Sequence, residues 1–577
     1  MPAKSSSLHQ AAKKTAAKKT AASKAAAKKA AAKKSVTAKP ATKKAVAKKP
    51  ATKKAVAKKP AAKKAATKKP AAAGGKHTPV RVRMYRQGLG DCFLVTFNPE
   101  SDDAVHMLID CGTLGAVTTG NEMKDIVAHI GETTGGRIHL MIATHEHQDH
   151  VSGFHTLKEK FQEIEVENVW MAWTENPGDD DAKSLMTHIA DLGMAVAQAA
   201  QALTQNNPSK ADTDTAEAMT SLLEFGNGRP DVLQPFLGAA KSPLSAGPTK
   251  KLATTVDDGM TFVRTGQVDS AGRPVKARYL SPGGPALEPE WLPGFRFFVL
   301  GPPREKERLK NMGKDGSSEL YGMAAGLRAA ASGMPGGPGQ DEGAMPFDRR
   351  YWCRESDEMI RETMADYFAT ENDWRRVDKD WLNAASDLAL QLDNMTNNTS
   401  LALAIERISD GRVLLFPADA QEGSWLSWHE PKEPFTYVQD GVRQTTTAEK
   451  LLNRTVFYKV GHHGSHNATA KGKGLEMMRS ESELVAFIPV DRKVALKRSP
   501  AGQWKMPAHA LYRRLLEKCN GRVARSDIGW ADAPQGTQKE EAAFKNLATE
   551  AEWEKWRESQ GAAQVSIDKL FIDYRLS

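Results

Sequence analysis

Ile138-His139-Leu140-Met141-Ile142-Ala143-Thr144-His145-Glu146-His147-Gln148-Asp149-His150 decides how the rest of this chain is read. The apolar run at 138–143 reads as a buried strand. Three histidines and an aspartate follow within six residues. His145 and His147 alternate around an extended backbone, while Asp149 and His150 enter from the next turn, so two sets of ligands can converge on one point. Imidazole and carboxylate are donors suited to zinc, with manganese as an alternative. The competing reading is a polar surface loop that happens to be rich in histidine. The H-x-H-x-D-H spacing directly after an apolar strand argues against it.

Sheet character extends to both sides of this stretch. Val80-Arg81-Val82-Arg83-Met84-Tyr85 alternates, Gly88-Leu89-Gly90-Asp91 turns into Cys92-Phe93-Leu94-Val95-Thr96-Phe97, and Val105-His106-Met107-Leu108-Ile109 ends in Asp110-Cys111-Gly112. A short helix fits 121–130. Residues 155–390 are less regular. A strand within 164–173 ends in Trp170-Met171-Ala172-Trp173, helical spacing runs over 180–204, and glycine- and proline-rich loops fill 227–250 and 313–347. A strand is expected at 296–300 and helix over 356–394. Ser400–Ile405 and Arg412–Phe416, joined by Ser409-Asp410-Gly411, read as a hairpin that ends in Pro417-Ala418-Asp419. Val456–Val460 leads into Gly461-His462-His463-Gly464-Ser465-His466. A strand at 484–489, helices near 507–519 and 538–559, and one alternating strand at 565–574 complete the chain. Strands alternating with helices predict an α/β fold with its chemistry at strand ends.

The formal charge of +11 conceals two unlike parts. The 81 basic residues include 24 lysines within 1–76, a stretch with no arginine and no acidic residue. That leaves 57 basic against 70 acidic residues for 77–577, a balance of about −13. The tail repeats every ten residues: 41–50 and 51–60 are both ATKKAVAKKP and 61–70 is AAKKAATKKP. Proline breaks each helical decade and no large apolar side chain offsets the ordering entropy, so 1–76 is expected to be disordered. Its lysines, Lys43, Lys44, Lys48, Lys49, Lys53, Lys54, Lys58 and Lys59 among them, suit salt-sensitive, non-specific binding to nucleic acid. A solubilising spacer is the plainer alternative. The tail resembles those of linker histones and bacterial histone-like proteins. Neither a signal peptide nor an apolar run of membrane length is apparent, and four cysteines without a C-x-x-C pair fit a reducing cytoplasm. The expected location is therefore cytoplasmic, with the tail able to hold the protein at the nucleoid. No protein partner can be inferred.

Taken together, the motifs resemble the metallo-β-lactamase fold, and within it the hydrolase-like domain of the ComEC-type DNA-uptake proteins. The G-Q-G-D turn of that domain is matched by Gly88 to Asp91, its first acidic motif by Leu108-Ile109-Asp110-Cys111-Gly112, and H-x-H-x-D-H by His145, His147, Asp149 and His150. Asn398-Thr399-Ser400 matches an Asn-x-Ser strand entry. Leu414 to Asp419, with Glu422 beyond, matches a strand end that normally reads Gly-Asp, and Lys459 to Ser465 matches K-V-x-H-H-G-S. Met506-Pro507 and Arg522 to Asp527 echo the end of the domain. The resemblance covers about 80–154 and 292–530, without any membrane channel. It implies an αββα sandwich carrying a partly helical insertion and the disordered basic tail. The divisions are a tail at 1–76, a first half at 77–154, a lid-like insertion at 155–290, a second half at 291–535 with a helical insert near 313–396, and a C-terminal helix and strand at 536–577.

The resemblance also implies a ligand set. His145 and His147 hold one ion, Asp149 and His150 another, Asp419 bridges them, and His463 (or His462) completes the second position. Asp110 orients ligands from behind. One or two zinc ions, or manganese, would activate a water for attack. The histidine of the His462-His463 pair that does not ligate would assist the leaving group. Many relatives carry a further histidine before the bridging aspartate. Here His188 is the only one between His155 and His429, and its helical context reads as structural. The first position would then be completed by water, a backbone oxygen or an asparagine. The expected function is metal-dependent phosphodiester hydrolysis on nucleic acid, with Asp149, His462 and Asp110 in catalytic roles. Two alternatives stand beside it: a hydrolase of a small ester, phosphoester or lactone whose tail only localises it, and a non-catalytic nucleic-acid-associated protein. Trp170 and Trp173 are candidates to stack on a substrate ring, although two tryptophans are more often simply packed against neighbouring helices.

Overall fold

Alternation in the two halves of the chain builds two large sheets. The computed structural model describes residues 77–115, 117–203, 210–226, 248–310, 380–497, 504–530 and 564–577, with a few positions between 549 and 555. The tail at 1–76 and its lysines, the loops at 227–247 and 313–347, helix 356–379 and most of helix 538–559 lie outside the described residues. Gly74–Ser577 forms one compact unit. Among the described residues no helix is long and apolar enough to cross a membrane.

The first sheet has eight strands in the order Val565–Ile567, Phe571–Leu576, Val80–Tyr85, Cys92–Phe97, Val105–Cys111, Leu140–Ala143, Val169–Ala172 and Ala277–Leu280. The second has seven: Gly529–Trp530, Val523–Arg525, Val485–Ile488, Thr455–Lys459, Val413–Phe416, Ala402–Arg407 and Phe295–Gly301. The chain is thus mixed α/β. Because strand side chains alternate in direction, neighbouring residues join different cores. Phe457 belongs to an apolar cluster shared by both sheets, whereas Tyr458 belongs to one shared with helices. Aromatic pairs span the two sheets: Phe93–Phe416 at 5.9 Å, Phe97–Phe295 at 4.6 Å, Trp170–Phe297 at 5.1 Å and Phe457–Tyr574 at 5.3 Å between ring centroids. Each such pair adds about 0.5–1.5 kcal/mol beyond its buried area. Helices Met123–Thr134, Gln148–Thr156 and Pro248–Thr265 pack with Leu94, Leu108 and Met141 of the first sheet. Helices Glu422–Ser427, Ala448–Asn453 and His509–Lys518 pack with Leu415, Tyr458 and Ala486 of the second.

Three expectations need correction. Residues 155–290 are not wholly an insertion, because Val169–Ala172 and Ala277–Leu280 extend the first sheet as parallel strands and helix Pro248–Thr265 covers it. The C-terminal segment, expected to carry a helix and one strand, belongs to the first sheet. It holds two strands rather than one, and Phe571–Leu576 pairs with Val80–Tyr85 inside the sheet. The tryptophans are core residues, only 3% exposed for Trp170 and 2% for Trp173. The Trp173 indole N–H donates to Pro302 O at 3.0 Å, and the Arg304 guanidinium lies 3.9 Å from its ring centre. Trp173 also anchors a helical cluster formed by Asp180–Leu203, Lys210–Gly226 and Asp380–Asn397. Trp173→Phe should therefore cost about 1–2 kcal/mol from the lost hydrogen bond and poorer stacking, with KM unchanged. A raised KM at unchanged melting temperature would return the residue to the substrate.

Candidate metal centre

The strand ends of both sheets deliver the proposed ligands to one buried place. Gly90 and Gly112 explain how the H-x-H-x-D-H loop comes so close to the first acidic motifs. A Cβ on Gly90 would stand 2.6 Å from Asp149 O, and one on Gly112 would strike the Asp149 backbone. Asp91 N–H donates to Asp149 O at 2.9 Å, which locks the turn to the loop. Asn398 and Ser400 do the same for the other half. Ser400 Oγ accepts from Asp419 N–H at 3.1 Å, and Asn398 Oδ1 accepts from Gln421 N–H at 3.1 Å.

Donor atoms of Asp149, His150, Asp419 and His463 all lie within 4.8 Å of one another, as do those of His145, His147 and Asp419. These are the two ligand groups expected from the sequence, and Asp419 is common to both. All six residues are fully buried. Of the two candidate histidines, His463 joins the donor group. His462 instead gives its backbone N–H to Asp419 Oδ1 at 2.9 Å and bonds through Nδ1 to Ser465 Oγ at 2.9 Å. Asp110 lies behind His150, as expected. It accepts the His150 Nδ1–H at 2.8 Å and both donors of Thr144 at 2.7 and 2.8 Å. His188 is half-buried on helix Asp180–Leu203 near Lys310 and joins neither group.

Backbone strain collects here. Asp110, Ala418, His462 and His463 all take positive φ, at 55°, 52°, 41° and 52°. Each is a conformation that costs a non-glycine residue about 1–2 kcal/mol and that tends to persist at functional sites. Ala418 stands where the resembling motif has glycine, which would carry this φ without cost.

Sequence reading gave no role to three further residues. Lys459 is buried, with Nζ 2.5 Å from Asp91 Oδ2, 3.0 Å from Asp419 Oδ1 and 2.9 Å from Ala418 O. Burial alone would lower its pKa, but Asp91 and Asp419 outweigh burial and raise it. Asp91 appeared only as part of a turn motif. Asp393, on helix Asp380–Asn397, stands 3.8 Å from His147 Nε2. Burial, reinforced by Asp149 and Asp419, pushes its carboxyl up to about 8. Its one signal in the sequence is helical spacing with Ala389 and Asn397, an aspartate on a buried face.

The electrostatics fit a cation. Asp91, Asp110, Asp149, Asp393 and Asp419 are all buried, and Lys459 is the lysine placed among them. Asp149 Oδ1 and Asp393 Oδ1 have no hydrogen-bond partner among the described residues. Buried carboxylates in such excess must be protonated, paired or bound to metal. Burial pushes His147 down to about 3 and His145 well below its usual value, which leaves neutral imidazoles able to ligate. Burial would depress His150 too, but Asp419, Asp149, Asp91 and Asp110 together hold it well above its usual value. A comparison with models of known families and one with curated proteins find no match for the chain.

Proposed function

We propose that the two sheets and their flanking helices are the αββα sandwich of the metallo-β-lactamase fold, and that the chain is a metal-dependent hydrolase similar to the ComEC-type domain. The observation that carries this reading is the meeting of the two His/Asp groups on Asp419 at the strand ends of both sheets. His145, His147 and Asp419 would hold one divalent ion, and Asp149, His150, Asp419 and His463 a second. Ions so held supply Lewis acidity to a phosphoryl or carbonyl oxygen and lower the pKa of a water. Asp110 fixes the tautomer of His150, and Pro489 O fixes that of His463 by accepting its Nδ1–H at 2.7 Å. Lys459 and the His462 N–H occupy Asp419 Oδ1, which reserves Oδ2 for a shared role. Burial pushes His462 down to about 4, so at neutral pH it offers a leaving group a hydrogen bond rather than a full proton.

Phosphodiesters of nucleic acid are the substrate class that agrees with the lysine tail. A small ester, phosphoester or lactone is favoured instead by the acidic balance of 77–577 and by the depth of the ligands. Hydrolysis of bis(p-nitrophenyl) phosphate, DNA and RNA, with zinc or manganese and after chelation, separates the two. No hydrolysis of any substrate class with either metal would end the enzymatic reading. Deleting 1–76 should leave turnover of the small phosphodiester unchanged while sharply weakening DNA binding at low salt, because spaced lysines act by counterion release. Loss of turnover on the small substrate would mean that the tail belongs to the active site.

A further inference from the structure

A single hydroxyl stands between His145 and the carboxylate of Asp110. It belongs to Thr144, the buried residue that follows strand Leu140–Ala143. The Thr144 backbone is held from both halves of the chain. Its N–H donates to Asp110 Oδ1 at 2.8 Å, and its carbonyl accepts from Leu401 N–H at 2.9 Å. Its Oγ1 lies 2.7 Å from Asp110 Oδ2 and 3.1 Å from His145 Nδ1.

One hydroxyl proton cannot serve both contacts, and the surroundings of Asp110 decide which it serves. Asp110 already accepts from Thr144 N–H and, at 2.8 Å, from His150 Nδ1–H, so its oxygens act as acceptors and the Thr144 proton goes to Oδ2. His150 Nδ1 also stands 3.5 Å from Thr144 Oγ1, but its proton is given to the nearer carboxylate. The contact between Thr144 Oγ1 and His145 must then use the proton of the ring, on Nδ1. A neutral imidazole has one N–H, which leaves the Nε2 lone pair bare. That nitrogen faces His147 Nδ1 at 3.0 Å, in the donor group completed by Asp419.

We infer that Thr144 is the positioning residue for His145, accepting its Nδ1–H and giving its own proton to Asp110, so that Nε2 is directed to the first metal position. This inference rests on the metal-centre reading above. Asp110 then supports both positions, His150 directly and His145 through one hydroxyl. The tautomer of His145 is set by the protein before any ion arrives. A hydrogen-bond partner behind a ligating imidazole is typically worth about 10–100-fold in metal affinity.

The test reads tautomer and metal binding on the full chain, for the wild type, Thr144→Val, Thr144→Ser and Asp110→Asn. In long-range nitrogen–proton spectra of metal-free, histidine-labelled protein, His145 should carry its proton on Nδ1 in the wild type and in Thr144→Ser. Thr144→Val should lose that preference. By chelator competition and elemental analysis, two ions are expected in the wild type. In Thr144→Val, which keeps the shape of the side chain, one ion should bind about 10–100-fold more weakly and the other as before. Thr144→Ser, which keeps the hydroxyl, should recover most of that loss. Asp110→Asn should weaken both ions, because both histidines depend on its acceptor oxygen. A wild-type His145 protonated on Nε2 would overturn the inference and leave the metal centre standing, as would unchanged affinity for both ions in Thr144→Val. Thr144→Ser binding no better than Thr144→Val would overturn it too, by showing that the residue serves packing. A wild type that binds no metal would remove the metal-centre reading and the inference with it.

Discussion

Asp419→Ala is expected to empty both metal positions and to lower hydrolysis at least about 1000-fold, roughly 4 kcal/mol, the scale on which Lewis-acid activation acts. Asp419 is the one residue common to the two donor groups. Its Oδ2 lies 3.1 Å from His150 Nε2, and its Oδ1 is held by Lys459 and the His462 N–H. Removing the carboxylate takes a donor from each position at once. His147→Ala or Asp149→Ala takes a donor from one position only and should leave the other ion partly bound. The sheets should survive all three changes, because their apolar clusters contain none of these residues. Elemental analysis decides the matter: two ions retained in Asp419→Ala would refute the shared-ligand assignment whatever happened to activity.

The candidate donors were legible in the sequence for a physical reason. A loop that folds back on its own strand must carry its donors at fixed spacing, so His145 to His150 appear as one motif. The same holds for His462 and His463 after Thr455–Lys459, although spacing could not say which of them joins the donor group. Here geometry separates them, since His463 meets Asp149 at 2.5 Å while His462 is tied to Ser465. The buried carboxylates outside the motifs were less legible, because they arrive from elements distant in sequence. Asp393 comes from a helix whose apolar spacing speaks only of packing. The partner of Arg83 is Asp573, bound at 2.7 Å through two nitrogens, and nothing in the alternation of 80–85 announces it. The bounds of the insertion at 155–290 were less legible for a similar reason. The strand at Val169–Ala172 was legible, but the four residues of Ala277–Leu280 are too short to stand out, and nothing in either announces that they pair as sheet neighbours. Stacking and packing stayed open for Trp173 because the sequence does not show Pro302 and Arg304 closing over it.

Lys459→Met should be the most destabilising single change at the centre, by about 3–5 kcal/mol, as expected when one partner of a buried ion pair is removed. The side chains of Lys459, Asp91 and Asp419 are 2%, 3% and 0% exposed, so water cannot take over the lost interaction. Methionine nearly fills the volume, which leaves charge rather than a cavity as the cause. Asp91→Asn in the same chain should recover part of the loss by removing one of the stranded carboxylates. The stability lost should also depend on metal, since a divalent cation at Asp419 supplies the positive charge that Lys459 no longer does. Denaturant midpoints with chelator and with saturating zinc therefore carry the argument. A large deficit in chelator that shrinks in zinc would mean that Lys459 neutralises the centre before metal arrives. An equal deficit in both would make it a strut between two sheet ends. A deficit under about 1 kcal/mol in either condition, far below the cost of stranding a buried charge, would show that the lysine is dispensable, and that Asp91 and Asp419 find their compensation elsewhere.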